Sequence, residues 1–160
     1  MEQILPGEWV ERLDRLWGEG IPLAGAMQVE IRHVDETCLQ LAAPLAPNRN
    51  HMGNAFGGSL QGLAILAGWA VTLMASGRPD SAHVVIKEAR MRFLAPVTGE
   101  LVAEAAMPAP GAVTAFRSEL AARGRARLPV AVEIRGESDS AAARLEGEFV
   151  AFERPSVNRP

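Results

Sequence analysis

Two adjacent glycines, Gly57 and Gly58, begin a long apolar segment directly after a polar loop, and this stretch is the part of the sequence best suited to chemistry. Glycines at a helix start allow close approach of a ligand and leave the first-turn N–H groups unpaired at the positive end of the helix dipole. Such a position attracts an anion. We predict the N–H of Gly58, together with that of Ser59, as its donors; the alternative is that the glycines only let the helix entrance pack tightly against a sheet.

Two polar side chains precede the glycines on the same loop. Asn50 carries an amide that could orient a substrate or donate to it. His51 follows directly, and histidine is the side chain that most readily exchanges a proton near neutral pH. A loop histidine that hydrogen-bonds the backbone and orders the glycine turn is an equally good interpretation of His51.

The segment that must position these groups runs from Gly58 to Ala75 without a charged residue. A helix of this length, roughly 26 Å, is apolar on every side and must be covered completely by lipid or by protein. The uncharged stretch between Arg49 and Arg78 could cross a bilayer of roughly 30 Å. We prefer a protein cover, because the segment begins with glycines and asparagine and is followed by short amphipathic strands.

The remaining chain reads as one amphipathic helix and a set of strands. Residues 6–18 predict a short helix on the outside of the domain. Alternation of apolar and polar residues predicts strands over 25–33, 37–42, 82–95, 101–107, 113–123, 127–135 and 142–152. The side chains on their apolar, inward faces include Leu39, Leu41, Val85, Leu101, Val132, Ile134, Leu145 and Phe149. These elements indicate an α+β domain in which a curled antiparallel sheet of about six strands surrounds one long buried helix.

Length, charge and cysteine content limit the classes of protein to which the chain can belong. A chain of 160 residues can bury one core, and its net charge of −3 indicates neither nucleic-acid binding nor an anionic membrane surface. Residues 1–153 are expected to form a single domain and 154–160 a disordered tail. A lone cysteine, Cys38, excludes an internal disulfide, and the N-terminus has no signal-peptide pattern. A cytoplasmic location is the resulting expectation.

The order of elements and the segment NHMGNAFGGSL over residues 50–60 resemble the hotdog fold, in which a sheet wraps one long helix. With HVVIKEARMRFLAPVTGE over 83–100, the chain is similar to the YiiD C-terminal-domain type of thioesterase. The resemblance implies hydrolysis of acyl-CoA or acyl-ACP in fatty acid metabolism. CoA or phosphopantetheine would enter as part of the substrate, without a further cofactor. No spacing of His, Cys or carboxylate residues resembles a zinc or iron site, and His33 and His83 lie on strands without partners that suggest a metal, so no metal is expected. The predicted substrate contacts are Phe56, Gly57, Gln61, Arg90 and Arg92.

The chain departs from one pattern of related hotdog enzymes. Thioesterases of the phenylacetate-pathway type share an asparagine at the position of Asn50, but they carry a histidine where this chain has Phe56 and a helix aspartate where it has Ile65. The resemblance therefore leaves His51 and Glu88 as candidates for activating water. Glu88 would act from a strand that approaches the partner's site in hotdog dimers, and a surface ion pair is the alternative for it.

Two other activities fit the same residues. Decarboxylation of a malonyl thioester, which resemblance links to the YiiD-like group, needs an oriented carboxylate and a stabilised enolate, and Asn50 and the Gly58 N–H could supply these. A non-catalytic binding module is the third interpretation. Small residues on the inward faces would leave a slot for an acyl chain in that case, although they suit close packing equally well; examples are Gly62, Gly68, Ala103 and Ala105.

Arginines and oligomerisation complete the expectations. The basic turn over 123–127, together with Arg49, Arg78, Arg90 and Arg92, could bind CoA phosphates or an acidic carrier protein, and a solvated hairpin tip is the alternative for the turn. A sheet curled around one helix leaves two open edges, and pairing across a two-fold axis would cover unmatched backbone groups. We therefore expect a homodimer or a dimer of dimers, with active sites at the dimer interface as the resemblance implies.

Overall fold

The computed structural model describes residues 6–137 and 140–153. The elements in chain order are α1 (Pro6–Gly20), α2 (Pro22–Ala26), β1 (Glu30–Val34), β2 (Cys38–Ala43), α3 (Leu45–Asn48), α4 (Gly57–Ser76), β3 (Ala82–Phe93), β4 (Leu101–Ala106), α5 (Pro110–Arg123), β5 (Arg125–Arg135) and β6 (Ala141–Glu153). The predicted tail over 154–160 lies outside the described residues and stays a prediction, as does the single-domain boundary.

The described strands form one antiparallel sheet in the order β1-β2-β4-β5-β6-β3. Helix α4 packs against the inner faces of β2 to β6. Alternate residues of these strands are fully buried against it, which confirms the predicted inward set; they include Leu39, Leu41, Leu101, Ala103, Ala105, Val132, Ile134, Leu145 and Phe149. The predicted α+β architecture, a curled sheet around one long helix, is therefore confirmed as the hotdog fold.

Small residues on α4 let the sheet approach the helix closely. A Cβ built on Gly68 would lie 2.4 Å from Cζ of Phe149, so the ring of Phe149 occupies the space that the glycine leaves. The predicted acyl slot is thus filled by protein at this level of the helix. Within the part of the chain that the structure describes, α4 is the helix that is long and apolar enough to span a membrane, and 67% of its 18-residue apolar window is buried inside the fold.

One predicted strand is wrong, and another begins later than predicted. Residues 113–123 form α5, because Val113, Phe116 and Leu120 recur at helical spacing, Pro110 stands at the helix start, and Gly124 ends it at φ 64°. The strand predicted from residue 25 begins only at Glu30, since α2 extends through Ala26. The basic turn over 123–127 is consequently not a hairpin tip; it joins the end of α5 to the start of β5.

Strand β3 contains a bulge that changes which side chains face the helix. Its register with β6 shifts between Ile86 and Glu88. Before the bulge, Val84 and Ile86 lie on the inner face, whereas the sequence placed Val85 there; Val85 is 48% exposed on the outer face. One extra residue in a strand reverses the alternation, which a strict period of two does not anticipate.

Candidate functional site

No protein group caps the start of α4 within the described residues. Phe56 occupies the N-cap position in extended conformation, and no side chain caps the helix. The first helical hydrogen bond runs from the N–H of Leu60 to the carbonyl of Phe56, at 3.0 Å. Within residues 6–137 and 140–153, no acceptor binds the N–H groups of Gly57, Gly58 and Ser59. These unpaired donors lie at the positive end of a 20-residue helix dipole.

Two aromatic rings flank the paired glycines. A Cβ on Gly58 would lie 2.4 Å from Cε1 of Phe56, and a Cβ on Gly57 would lie 3.4 Å from Cε1 of Phe93. Both rings are more than half exposed, at 57% and 56%. The glycines therefore permit close packing by the rings and, at the same time, leave a partly apolar entrance beside free N–H groups. Both interpretations of the glycine pair, tight packing and donors for an anion, are therefore compatible with this position.

Asn50 organises the loop that precedes the helix. Its Oδ1 accepts hydrogen bonds from the N–H of Met52 at 2.8 Å and of Asn54 at 3.2 Å. Its backbone N–H donates to Asn54, at 2.6 Å, and its carbonyl accepts from Gly53. The oxygen of the amide is thus used by the loop, whereas Nδ2 has no acceptor among the residues described and remains available as a donor.

The other predicted groups near the helix start are accessible. His51 is exposed, and its ring makes no hydrogen bond in the described part of the chain. Ser59 and Gln61 are half-buried in the first two turns of α4. Ile65 and Trp69 follow Gln61 at a spacing of four residues and are also half-buried, and the indole Nε1 of Trp69 donates to the carbonyl of Val84 at 2.9 Å. After Gln61, the half-buried side chains on this side of the helix are therefore largely apolar.

Glu88, Arg90 and Arg92 do not lie with these groups in one chain. After the bulge they pair with Glu148, Glu146 and Arg144 of β6, and residues directly opposite in antiparallel strands share a face. That face is the outer one, because the alternate β6 residues Leu145 and Phe149 are buried against α4. All three predicted side chains are exposed there. Their roles stay predictions for an assembly of more than one chain.

Asn48 is a positioning residue that the sequence analysis passed over. Its side chain is 1% exposed, and Nδ2 donates to the carbonyls of Met27 and Pro44, both at 2.8 Å. Its own carbonyl accepts from the N–H of Phe56 at 2.7 Å. Asn48 therefore ties the loop to the body of the protein at the residue that precedes α4. An asparagine between Pro47 and Arg49 resembles any loop residue, so the sequence carries no clear signal for this burial.

A groove with a basic lining lies at the opposite end of α4. Arg123, Arg125 and Arg127 border it together with Glu119 and Ala126. The N–H of Glu153 donates to the carbonyl of Gly124, and Glu153 pairs with Arg78, which directly follows α4. A 20-residue helix is about 30 Å long, so within one chain this groove is far from the glycine pair.

The fold agrees with comparisons to known proteins. A family model described as "Putative thioesterase (yiiD_Cterm)" matches residues 10–153. A protein of unknown function from Chlorobaculum tepidum superposes with a TM-score of 0.90 at 24% identity, covering 95% of this chain and 99% of that one.

Two further solved structures share the fold. One, described as a "putative thioesterase" from Shewanella oneidensis, gives a TM-score of 0.77 at 25% identity over 91% of this chain and 99% of its own. A "probable thioesterase" from Pseudomonas aeruginosa gives 0.78 at 23% identity, covering 96% and 100%. The family match spans most of the chain. The protein therefore belongs to the YiiD C-terminal family of thioesterase-like hotdog proteins.

Proposed function

We propose that the protein hydrolyses acyl thioesters of CoA or of an acyl carrier protein, with an oxyanion hole at the start of α4. The observation that carries the proposal is the set of unpaired N–H groups at Gly58 and Ser59, beside the exposed rings of Phe56 and Phe93. The donors suit an oxygen that gains negative charge, and the rings suit an acyl chain. The family match supports thioester chemistry as the context.

The proposed reaction places the thioester carbonyl oxygen on these N–H groups. Water attacks the carbonyl carbon, and the oxyanion of the tetrahedral intermediate is held by Gly58 and Ser59. The C–S bond then breaks, and the leaving thiolate takes up a proton to give a free thiol and a carboxylic acid. His51 is the proposed acceptor of the water proton, because its exposed ring on the adjoining loop has no other partner in the described residues.

We propose that two copies pair along β3. This strand has β6 on one side and an open edge on the other, and the apolar residues Val85, Phe93 and Leu94 are about half exposed along it. Phe93 lies beside Gly57, so a partner on this edge would cover the entrance to the proposed site. Glu88 lies on the outer face of β3, opposite the side on which α4 packs, so this edge pairing alone would not bring it to the glycines of the other copy.

The same pairing offers a place for the carrier end of the substrate. In an antiparallel β3 pair, the Ala82 end of one strand lies beside the Phe93 end of the other. The Ala82 end is also the end that carries the basic groove, since Ala82 pairs with Glu153 and Glu153 contacts Gly124. The arginines of one copy would then face the site of its partner, where they could bind phosphates of CoA or acidic residues of a carrier protein.

The reaction is tested by incubating the protein separately with malonyl-CoA and with a saturated acyl-CoA, and measuring free thiol and carbon dioxide. We expect free thiol from the saturated substrate without carbon dioxide from the malonyl one. Release of carbon dioxide while the thioester stays intact would show that the reaction is decarboxylation and would overturn hydrolysis. If neither product forms while the acyl-CoA binds, the protein is a binding module instead.

The role of Asn50 is tested by two variants. Asn50→Ala removes both the loop acceptor and the Nδ2 donor, whereas Asn50→Asp keeps an acceptor oxygen for Met52 and Asn54. We expect both variants to remain folded and to lose turnover by at least about a hundredfold, because each lacks the amide donor. Asn54→Ala is the matched control on the same loop. Full activity of Asn50→Asp would assign Asn50 to loop structure alone.

A further inference from the structure

The turn between β1 and β2 brings together three side chains that the proposed thioesterase does not use. His33 lies opposite Gln40 on β2, and Cys38 is two residues before Gln40 on the same strand. Both therefore face the outer surface of the sheet, as diagonal neighbours across two strands. Asp35 lies in the turn between them. This surface is opposite to the one that packs against α4.

The three side chains form one compact donor set. A ring nitrogen of His33, a carboxylate oxygen of Asp35 and Sγ of Cys38 all lie within 4.8 Å of one another. Nε2 of His33 is 2.9 Å from Oδ2 of Asp35. The ring is exposed, while Asp35 and Cys38 are half-buried, so the set is both reachable and partly sheltered.

The turn itself holds the carboxylate in place. Oδ1 of Asp35 accepts hydrogen bonds from the N–H and the hydroxyl of Thr37, both at 2.7 Å, and from the N–H of Cys38 at 2.9 Å. Hydrogen bonds from Thr37, followed by the one to His33, hold the pKa of the Asp35 carboxyl well below its usual range. One oxygen is thus fixed by the turn, and the other, Oδ2, is directed at His33. Hydrogen bonds that orient a ligand in this way are typical of metal sites.

We propose that His33, Asp35 and Cys38 bind a divalent transition metal ion, with Zn²⁺ as the best fit. Nitrogen, oxygen and thiolate sulfur are the three donor types that Zn²⁺ takes from proteins, and a set with sulfur disfavours Mg²⁺ and Ca²⁺. No metal is expected from the sequence. The pattern that marks this cluster is the spacing His-x-Asp-x-x-Cys across a hairpin.

The ion requires only small movements. In a tetrahedral zinc site with bonds of about 2.0 to 2.3 Å, neighbouring ligand atoms lie about 3.3 to 3.6 Å apart. The distance between Nε2 of His33 and Oδ2 of Asp35 must increase by roughly half an ångström. Rotation of the Cys38 side chain must bring Sγ to about 3.3 to 3.6 Å from both of these atoms. Binding replaces the thiol proton of Cys38, which passes to solvent, and water completes the fourth position. An ion here would tie β1, an edge strand, to β2.

The test is a titration of the tag-free, reduced protein with Co²⁺ followed by competition with Zn²⁺. Because Cys38 is the chain's single cysteine, a thiolate-to-cobalt charge-transfer band in the near ultraviolet can arise from this site alone. We expect one ion per chain, with intense visible bands of a tetrahedral site that Zn²⁺ abolishes. Absence of the charge-transfer band at millimolar cobalt would overturn the proposal.

Variants assign the ligands. Cys38→Ser should remove the charge-transfer band, and His33→Gln and Asp35→Asn should each weaken binding by at least about tenfold. Asp35→Asn keeps an acceptor oxygen for the turn, and thermal unfolding of each variant checks that the fold persists. His83→Gln is the matched control, because His83 is also exposed on the outer face, next to the ring of Phe152. An equal loss in His83→Gln, or unchanged binding in Cys38→Ser, would contradict the site.

Discussion

The two ends of α4 are finished in opposite ways. At the C-terminal end, Gly77 adopts φ 65° and its N–H donates to Met74, while the hydroxyl of Ser76 donates to Leu73 at 2.6 Å. Nε of Arg117 donates to the carbonyl of Ala75 at 2.7 Å. At the N-terminal end, the first-turn N–H groups have no protein partner in the described residues, and no side chain caps them.

The capped carbonyls at the C-terminal end stabilise the fold, whereas the unpaired N–H groups at the N-terminal end remain available as hydrogen-bond donors. Every capped carbonyl at the C-terminal end contributes to stability, since unpaired backbone groups in partly buried positions are unfavourable. The uncapped N-terminal end forgoes about 1 kcal/mol that a serine or aspartate cap typically supplies. The unpaired N–H groups at the uncapped end could be satisfied by a bound ligand. Variants at each end should therefore affect different measurements.

The largest expected effect is on activity at the open end. Gly58→Pro removes the proposed donor N–H, and proline is tolerated in the first turn of a helix. We expect kcat/KM to fall by about a hundredfold to a thousandfold, equivalent to about 2.7 to 4 kcal/mol. Gly58→Ala is the matched control, because its Cβ also meets the ring of Phe56, 2.4 Å from Cε1, while the N–H is kept. Retained activity in Gly58→Pro would remove this N–H from the mechanism.

The next effect is on stability at the closed end. Arg117→Ala removes the hydrogen bond to Ala75, and its guanidinium also lies 3.2 Å from a Cβ position at Gly77. We expect urea unfolding to show a loss of about 1.5 to 3 kcal/mol, because the bond involves a charged donor. Activity per folded molecule should not change. Arg123→Ala, with a side chain 77% exposed on the same helix, should cost less than about 0.5 kcal/mol. Equal losses in both variants would show that the cap contributes little.

The smallest effect is expected for the ion pair beyond the closed end. Arg78 and Glu153 contact each other with side chains about one-third exposed, at 34% and 33%. Glu153→Gln should lower the free energy of unfolding by about 0.2 to 1 kcal/mol, and less at high salt, because solvent screens such pairs. Chemical denaturation at low and high ionic strength measures this. A loss above that of Arg117→Ala would reverse the order proposed for the two contacts.

Most of the fold could be predicted because its apolar patterns are strong. A segment without charge from Gly58 to Ala75 and strands with strict alternation leave few other arrangements. The strand predicted over 113–123 is wrong because the apolar residues there can be matched to either the strand period or the helix period. Val113, Phe116 and Leu120 fit a helix, and Pro110 marks its start. The inverted face of Val85 arose from the bulge in β3, which depends on pairing with β6 and leaves no mark on local sequence.

The candidate site could be predicted only in part. Gly57 and Gly58 marked the open helix start, because paired glycines before an apolar run have few other uses. The dual use of Asn50, with its oxygen bound by the loop and its nitrogen free, depends on hydrogen bonds that a sequence does not contain. Groups contributed by a second copy, such as Glu88, depend on an interface outside the single chain.

The bulges in the two outermost strands also bear on how the protein avoids unwanted self-association. Strand β1 is irregular between Ile31 and His33, and β3 between Ile86 and Glu88. A fibril grows when edges of many copies add in long, unbroken alignment, and an extra residue in an edge strand interrupts that alignment. Each edge therefore offers only short regular stretches, enough to accept a specific neighbour and poorly suited to indefinite stacking.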